Sequence, residues 1–540
     1  MAFRRPDLRV SRRRFLRSAA AGTSLVTGSG IARIVAARQA PAFVSSSRPS
    51  VEYGIQIGDV TGERAIVWSR TDREARMFVE WDTTPKFKSP NRVRGLAAVE
   101  SLDYTSRLDL EGLPNNENIF LRVTFEDPNS SKGVSQPVLG YFRTAPTRAR
   151  PIRLVWSGDT CGQGWGINPD MGGMRIYTSM LMQNPDVFIH NGDNIYADGP
   201  LEDVVGVTDG SVWRNAFLDR VPSKRKVAET LEEFRACYRY NLCDGNLLAF
   251  NASVPQIWQW DDHETLNNWS WSKSLARDSR YQEKDLATLV NRAKRAFLEY
   301  APMRWMRNGD NLRIYRHLPY GPQLDLFVID LRSYRGPNNY NRQRQKNGQT
   351  AFFGDDQLAW LKNDLLKSTA RWKLIASGSP IGLVNPDGRD ARGRQRYENA
   401  ANGDGPPLGR ELEVAELLKF LKRNRIRNVV WLTGDFHYTA AHYYDPNVAV
   451  YQDFDPFWEF VTGPLNAGSY PMYNLDNTFG PQVVFQKGPP RGKNNLPPTA
   501  GYQYFGQVDI DPGGELVVTL KDLDGKNLYE KRLEPQGEDS

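Results

Sequence analysis

Between residues 152 and 433, short apolar runs rich in Val, Ile, Leu and Trp alternate with amphipathic stretches, and several of the runs lead directly into Gly, Asp, Asn or His. The runs are 152–156, 187–190, 257–260, 324–330, 373–377 and 428–433. Near-continuous apolar strands are buried on both faces, so the pattern predicts α/β layering, with helices over 285–300, 356–366 and 410–424. Leu412, Leu417, Leu418 and Leu421 recur at helical spacing and predict a helix packed on a sheet. Ligands in open α/β sheets gather at the carboxyl ends of strands, which directs attention to the polar residues following each run.

The segment before this alternation has a different texture. Residues 51–146 hold short β-branched and aromatic runs at 65–68, 77–81, 104–110, 119–125 and 140–144, separated by turn residues at the spacing of a β-sandwich. Leu113 and Pro114 ahead of Phe120 are similar to fibronectin type III modules. Residues 147–151 form the linker, and 151–535 the catalytic unit. At 540 residues the chain exceeds what one hydrophobic core supports, which agrees with more than one unit. Residues 470–501, crowded with Pro, Gly and Asn, predict a long surface loop, either a lid or a plain excursion. The runs 505–511 and 516–522 predict a closing hairpin.

The formal charge of +7 invites a nucleic-acid reading that its distribution removes. Arg4, Arg5, Arg9, Arg12, Arg13, Arg14, Arg17 and Arg33 face only Asp7 within residues 1–37, so the remainder of the chain is neutral. Ser11 to Leu16 (Ser-Arg-Arg-Arg-Phe-Leu), a weakly hydrophobic small-residue run and Val35-Ala36-Ala37 resemble a twin-arginine export signal over residues 1–40. The expected location is therefore periplasmic or secreted, with the twin-arginine machinery as a partner and no stable membrane insertion. Three cysteines, Cys161, Cys237 and Cys243, are too few for a disulfide framework.

Four strand ends carry the chemistry: Gly158-Asp159-Thr160-Cys161, Gly192-Asp193-Asn194-Ile195-Tyr196, Asp261-Asp262-His263-Glu264 with Asn267 and Asn268, and Gly434-Asp435-Phe436-His437. A lone Asp after a strand is more often a helix cap than a ligand. Four such clusters in this order resemble the calcineurin-like metallophosphatases. Trp260 to Trp269 and Leu432 to Tyr438 are similar to the alkaline phosphatase D (PhoD-like) family, supported by residues 325–335 and 409–411. The resemblance spans about residues 51–535. It implies a metallophosphatase-type αββα sandwich preceded by a small all-β, fibronectin III-like domain.

Phosphate esters repel nucleophiles, so their hydrolysis calls for positive charge at phosphorus and a water deprotonated near neutral pH, which two adjacent cations supply. One cation is expected to draw Asp159, Asp193, Tyr196 and His437, and a phenolate suits ferric iron. The second is expected to draw the bridging Asp193, Asp262 and Asp435, with Asn267 or Asn268 nearby. Its oxygen donors favour calcium or magnesium, and the resemblance implies one or two calcium ions. Purple acid phosphatases use histidines here, whereas this chain has Asp435. Cys161 competes with Asp159 for iron, since a thiolate also binds it.

His263 is expected to donate a proton to the leaving alkoxide or to stabilise phosphoryl oxygens. Asn194 either contacts phosphate or serves the turn. His190 reads as a core histidine, and Glu264 as a support for the ligands by hydrogen bonding. The absence of a Gly-x-Ser-x-Gly elbow and of a Walker loop disfavours serine-hydrolase and nucleotide-driven chemistry. The reading is a secreted, monomeric phosphoesterase hydrolysing small-molecule monoesters and diesters by direct attack of a metal-activated hydroxide. The alternatives are a phospholipase D-like phosphodiesterase acting on phospholipid head groups, and a non-enzymatic surface-binding protein. Specificity is assigned to residues 199–220 and 470–501.

Overall fold

The computed structural model describes residues 48–130, 133–305 and 313–537. The expected export segment lies outside the described residues. Two large sheets face each other. The first runs, in spatial order, Asn527–Leu533, Leu516–Asp522, Tyr504–Ile510, Ile152–Ser157, Val187–Asn191, Gln256–Gln259, Ile55–Gly58, Ala65–Arg70 and Thr105–Leu110. The second runs Arg316–Pro319, Leu324–Val328, Trp372–Ser377, Val429–Thr433, Phe457–Val461, Thr439–Tyr444 and Pro481–Lys487.

Alternation along each strand builds the layers. Leu154 and Trp156 from one sheet meet Leu326, Leu374, Val430 and Leu432 from the other in a shared core. Val155 points outward, beneath the helices Arg175–Met182, Leu231–Asn241, Gly245–Asn251 and Leu286–Tyr300. Phe327, Ile375 and Trp431 point the opposite way, beneath Asp355–Lys367 and Glu411–Arg423. The result is an αββα sandwich, as the sequence led one to expect. Gly506 shows how closely the first sheet is packed, because a Cβ there would stand 2.1 Å from the Trp156 ring.

The parallel strands Ile152–Ser157, Val187–Asn191 and Gln256–Gln259 all end at the same edge as Leu324–Val328, Trp372–Ser377, Val429–Thr433 and Phe457–Val461. Asn191 ties the two edges together, its side-chain amide donating to the carbonyls of Ser377 (3.0 Å) and Leu432 (2.7 Å). This common edge positions the site.

The all-β N-terminal segment is less separate than its sequence implies. Asn91–Ala98, Ala75–Asp82, Asn118–Glu126 and Val138–Arg143 form one sheet of a sandwich. Its other sheet, the strands Ile55–Gly58, Ala65–Arg70 and Thr105–Leu110, continues the large first sheet through the parallel pair Gly58 and Gln256. Asp59, fully buried, receives the Arg316 guanidinium at 2.8 Å across this junction.

The stretch 470–501 is not a plain loop. Pro481–Lys487 pairs with Thr439–Tyr444 at the sheet edge, where its exposed valines and flanking prolines obscured the strand pattern. A small hairpin, Val204–Gly206 with Val212–Arg214, lies within 199–220.

Replacing Asp59 by Ala would leave the Arg316 charge buried without its partner, a loss of about 3–5 kcal/mol. Thermal unfolding of Asp59→Ala should show a clearly lowered melting temperature, and an unchanged one would contradict the structural role of the junction.

Candidate metal centre

Each cluster sits where a strand stops and the backbone turns sharply. Asp159 (φ 71°), Asp193 (φ 52°), Asp435 (φ 72°) and His437 (φ 55°) all occupy the left-handed region, which non-glycine residues seldom adopt. Four such residues at one edge point to a function that outweighs local strain. Gly192, at φ 101°, leaves room for the Asp261 Cβ, which would stand 2.5 Å from a Cβ at position 192.

The turns bring three overlapping groups together, with candidate ligand atoms in each within 4.8 Å of one another: Asp159, Asp193 and His437; Asp193, Asp262 and His263; Asp261, Asp262 and Asp435. Asp193 is shared by two groups, Asp262 by two. The Tyr196 hydroxyl lies 3.2 Å from Asp159 Oδ1 and 2.9 Å from His437 Nε2, which places the phenol within the first group. His437 Nδ1 contacts the Gly468 carbonyl, which turns Nε2 toward the carboxylates.

Burial and then repulsion from the neighbouring carboxylates hold Asp193 and Asp435 well above the usual carboxylate range. Burial, with Asp159 and Asp193 adding to it, likewise raises the Tyr196 phenol. Glu264 is pushed up to about 7 by burial. The cluster is therefore electrostatically costly by itself. Asp159 Oδ2, Asp193 Oδ2, Asp261 Oδ2 and Asp262 Oδ1 are buried with no hydrogen-bond partner. Hard oxygen donors in this number, with the His437 and His263 imidazoles and the Tyr196 phenol at the margins, are a donor set suited to oxygen-preferring metal ions, so the residues fit a metal centre.

Cys161 does not join it. Its backbone N–H donates to the Asn466 carbonyl at 2.7 Å, and its sulfur packs 3.5 Å from the Met174 sulfur in the helix-side core. Burial raises the thiol far above its ordinary value. Of the two alternatives for the first ion, Asp159 lies among the clustered ligand atoms and Cys161 does not, its side chain being packed in the helix-side core instead. Asn194 is also corrected as a phosphate contact. Its Nδ2 donates to the Gln259 carbonyl (2.7 Å) and to Glu264 (2.8 Å), so both amide hydrogens are spent within the turn. An amide oxygen alone has no hydrogen to offer an anionic ligand.

Asn268 lies beside Asp262, its backbone N–H donating to Asp262 Oδ2 and its Nδ2 to Asp387 at 3.3 Å. Asn267 is exposed and donates its backbone N–H to Asp198 at 2.7 Å. Glu264 supports the turns, accepting the backbone N–H groups of Asn194 (2.6 Å) and Asp261 (2.7 Å).

His263 is held from two sides. Its backbone N–H donates to Asp193 at 3.1 Å, and its Nδ1 lies 2.7 Å from Asp198 Oδ1. Burial works against its charge, but Asp198 and then Asp262 prevail and raise it to about 9. Asp198 holds Nδ1, which leaves Nε2 free of that carboxylate.

Sequence reasoning missed Asp198, Ser379, Arg332 and Glu398. Ser379 donates to Asp435 at 2.8 Å. Arg332, fully buried, grips Asp261 through Nε and Glu398 through a terminal nitrogen, with Asp262 Oδ1 3.6 Å from its other terminal nitrogen. It stands in the turn after Leu324–Val328, a strand end that carries no histidine and only one acid, Asp330, so no metal-ligand pattern flagged it.

The sequence model of the family described as PhoD-like phosphatase matches residues 154–519. That of the PhoD-like phosphatase N-terminal domain matches residues 37–146. Alkaline phosphatase D of Bacillus subtilis (strain 168) is 26% identical over 464 residues, covering 80% of this chain and 72% of the relative. The structure of PhoD superposes with a TM-score of 0.64 at 19% identity, over 92% of this chain and 94% of that one. A purple acid phosphatase from yellow lupin (Lupinus luteus) seeds gives 0.53 at 12% identity, over 90% and 74%.

Two measurements check the geometry. Asp159→Ala should lower the metal content of the purified protein, whereas Cys161→Ala should leave it unchanged; loss only in the cysteine variant would reverse the assignment. His190, buried against Thr160 at 3.0 Å, is lowered to about 4 by burial. Its unfolded value is about 6.5, so the stability from keeping it neutral is complete above that pH and is lost as pH falls toward 4. Melting temperatures of His190→Gln should therefore decline less than those of the parent between pH 7 and pH 4.5 on this account, by the equivalent of roughly 3 kcal/mol at most.

Proposed function

Because the chain belongs to the PhoD-like phosphatase family and is a phosphoric ester hydrolase, we propose that it cleaves phosphate monoesters and diesters by direct in-line attack of hydroxide on phosphorus, without a seryl intermediate. The observation that carries this reading is the convergence of Asp159, Asp193, Asp262, Asp435, Tyr196 and His437 at the common edge of two sheets. Bound there, two cations would neutralise the phosphoryl oxygens and lower the pKa of water to near neutrality. We assign ferric iron to Asp159, Asp193, Tyr196 and His437, in keeping with the phenol donor, and calcium to Asp193, Asp262 and Asp435 with Asn268 beside them, in keeping with all-oxygen ligation.

The chain's own residues perform the remaining tasks. Asp193, common to two groups and with an Oδ2 free of hydrogen-bond partners, would be the ligand available to both ions. His263, kept protonated by Asp198, holds a proton on Nε2 for the departing alkoxide. Arg332 fixes Asp261 and so keeps the turn preceding Asp262 in place. The export signal read in residues 1–40 makes the enzyme a periplasmic or secreted one, delivered folded through the twin-arginine pathway.

The experiment is hydrolysis of an aryl phosphate and a bis-aryl phosphate by metal-replete protein, with metal content measured on the same sample. Turnover of either ester, lost on chelation, is expected; no turnover of both would overturn the reading. His263→Ala should lower kcat by about 10²-fold or more with metal content unchanged, and the loss should be greater for alkyl than for aryl leaving groups. Equal losses for both leaving groups would remove the proton-donor role.

A further inference from the structure

Two asparagines follow the Asp262 turn, and the structure separates them. Asn267 is exposed, and its backbone N–H is spent on Asp198 at 2.7 Å. Asn268 is half-buried, sits at φ 52° in the left-handed region and donates its backbone N–H to Asp262 Oδ2. Its side-chain Nδ2 donates to Asp387 Oδ1 at 3.3 Å, a residue 119 positions further along the chain.

Asp387 belongs to the hairpin Pro386–Arg389 with Gln395–Tyr397. Arg396 Nε donates to the Asp387 carbonyl at 3.0 Å and fixes the backbone there. The second carboxylate oxygen, Oδ2, accepts from Asn338 Nδ2 at 3.0 Å. Asn338 is buried, and its Oδ1 accepts from Arg335 at 2.9 Å and from Arg410 at 3.1 Å. Asn338 Nδ2 also donates to the Asn268 carbonyl at 3.0 Å, so the backbone of Asn268 and its side chain are held from the same side of the network.

The chemistry of these groups leaves one arrangement. A guanidinium only donates and a carboxylate only accepts, so Asn338 turns its oxygen to the arginines and its nitrogen to Asp387. Asn268 meets the same carboxylate and must offer it nitrogen, because an amide oxygen there would set two acceptors against each other. Asn268 Oδ1 is the atom left over, and among the described residues it accepts no hydrogen bond. Its own backbone is tied to Asp262, one of the clustered carboxylates. A neutral carbonyl oxygen beside such carboxylates adds a ligand for a hard cation without adding to their repulsion. We propose that Asp387 is a positioning residue for the second cation: it holds the Asn268 amide by its nitrogen and so presents the carbonyl oxygen to the ion. The hairpin thereby governs the ion while supplying no ligand to it. This inference rests on the two-cation reading of the centre.

The test titrates calcium into the full protein purified without added calcium, with the iron content of each sample measured alongside. Asp387→Ala should weaken calcium binding by about tenfold or more while its iron content stays that of the parent. A double-mutant cycle separates orientation from charge and from folding. Asn268→Ala alone should weaken binding at least as much as Asp387→Ala, and in the Asn268→Ala background Asp387→Ala should cost little more, since no amide remains to be oriented. A loss of the same size with and without Asn268 overturns the positioning role, as does joint loss of iron and calcium from Asp387→Ala. A parent that binds calcium and an Asp387→Ala variant that binds it equally well overturn that role alone. A parent that takes up no calcium overturns the calcium assignment and this inference with it.

Discussion

Everything at the metal centre depends on two sheets ending in register at one edge. The clusters Asp159, Asp193 and Asp262 belong to the first sheet, whereas Asp435 and His437 belong to the second. No single sheet could surround a pair of ions with these residues. The apolar layer of Leu154, Trp156, Leu326, Leu374 and Leu432 brings the sheets face to face. Asn191 then locks their ends, because both of its amide hydrogens are committed to carbonyls of the opposite sheet. Sliding one sheet past the other would leave those carbonyls buried without donors.

The centre is assembled against its own electrostatics. Buried carboxylates crowd one another, and several of their residues occupy backbone conformations that side chains disfavour. The surrounding protein offsets only part of this. Arg332 compensates Asp261 and Glu398, and the Glu264 carboxylate gathers the backbone N–H groups of the Asp193–Asn194 and Asp261 turns. The remaining imbalance falls on Asp159, Asp193, Asp262 and Asp435, the residues whose donor chemistry matches hard cations. A fold that leaves its charge deficit at one point has defined where cations belong.

What was legible in the sequence is what is local in it. Asp262 and His263, Asp435 and His437, and Asp193 and Tyr196 are close in sequence, so strand-end spacing revealed them. The helices over Leu286–Tyr300, Asp355–Lys367 and Glu411–Arg423 followed from apolar periodicity in the same way. Partners drawn from far along the chain were not legible. Asp198 meets His263 and Arg332 meets Asp261 only after folding, across 65 and 71 positions. The direction of a side chain within a turn was equally hidden: Cys161 stands two residues from Asp159 yet faces Met174, a contact no motif encodes. The edge strand Pro481–Lys487 escaped because an edge tolerates the prolines and exposed valines that a central strand excludes.

The junction between the N-terminal segment and the first sheet has a bearing on solubility. The strand Gln256–Gln259 carries Trp258 toward the helices and leads straight to Asp261 and Asp262, and it is flanked on its outer side by Ile55–Gly58. Removing the residues before 147 would strip Gln256 of its pairing with Gly58 and Asp59 and leave this strand at the border of the sheet, where another chain could pair. The segment therefore covers one border of the catalytic sheet, and its described residues supply none of the clustered ligand atoms at the centre.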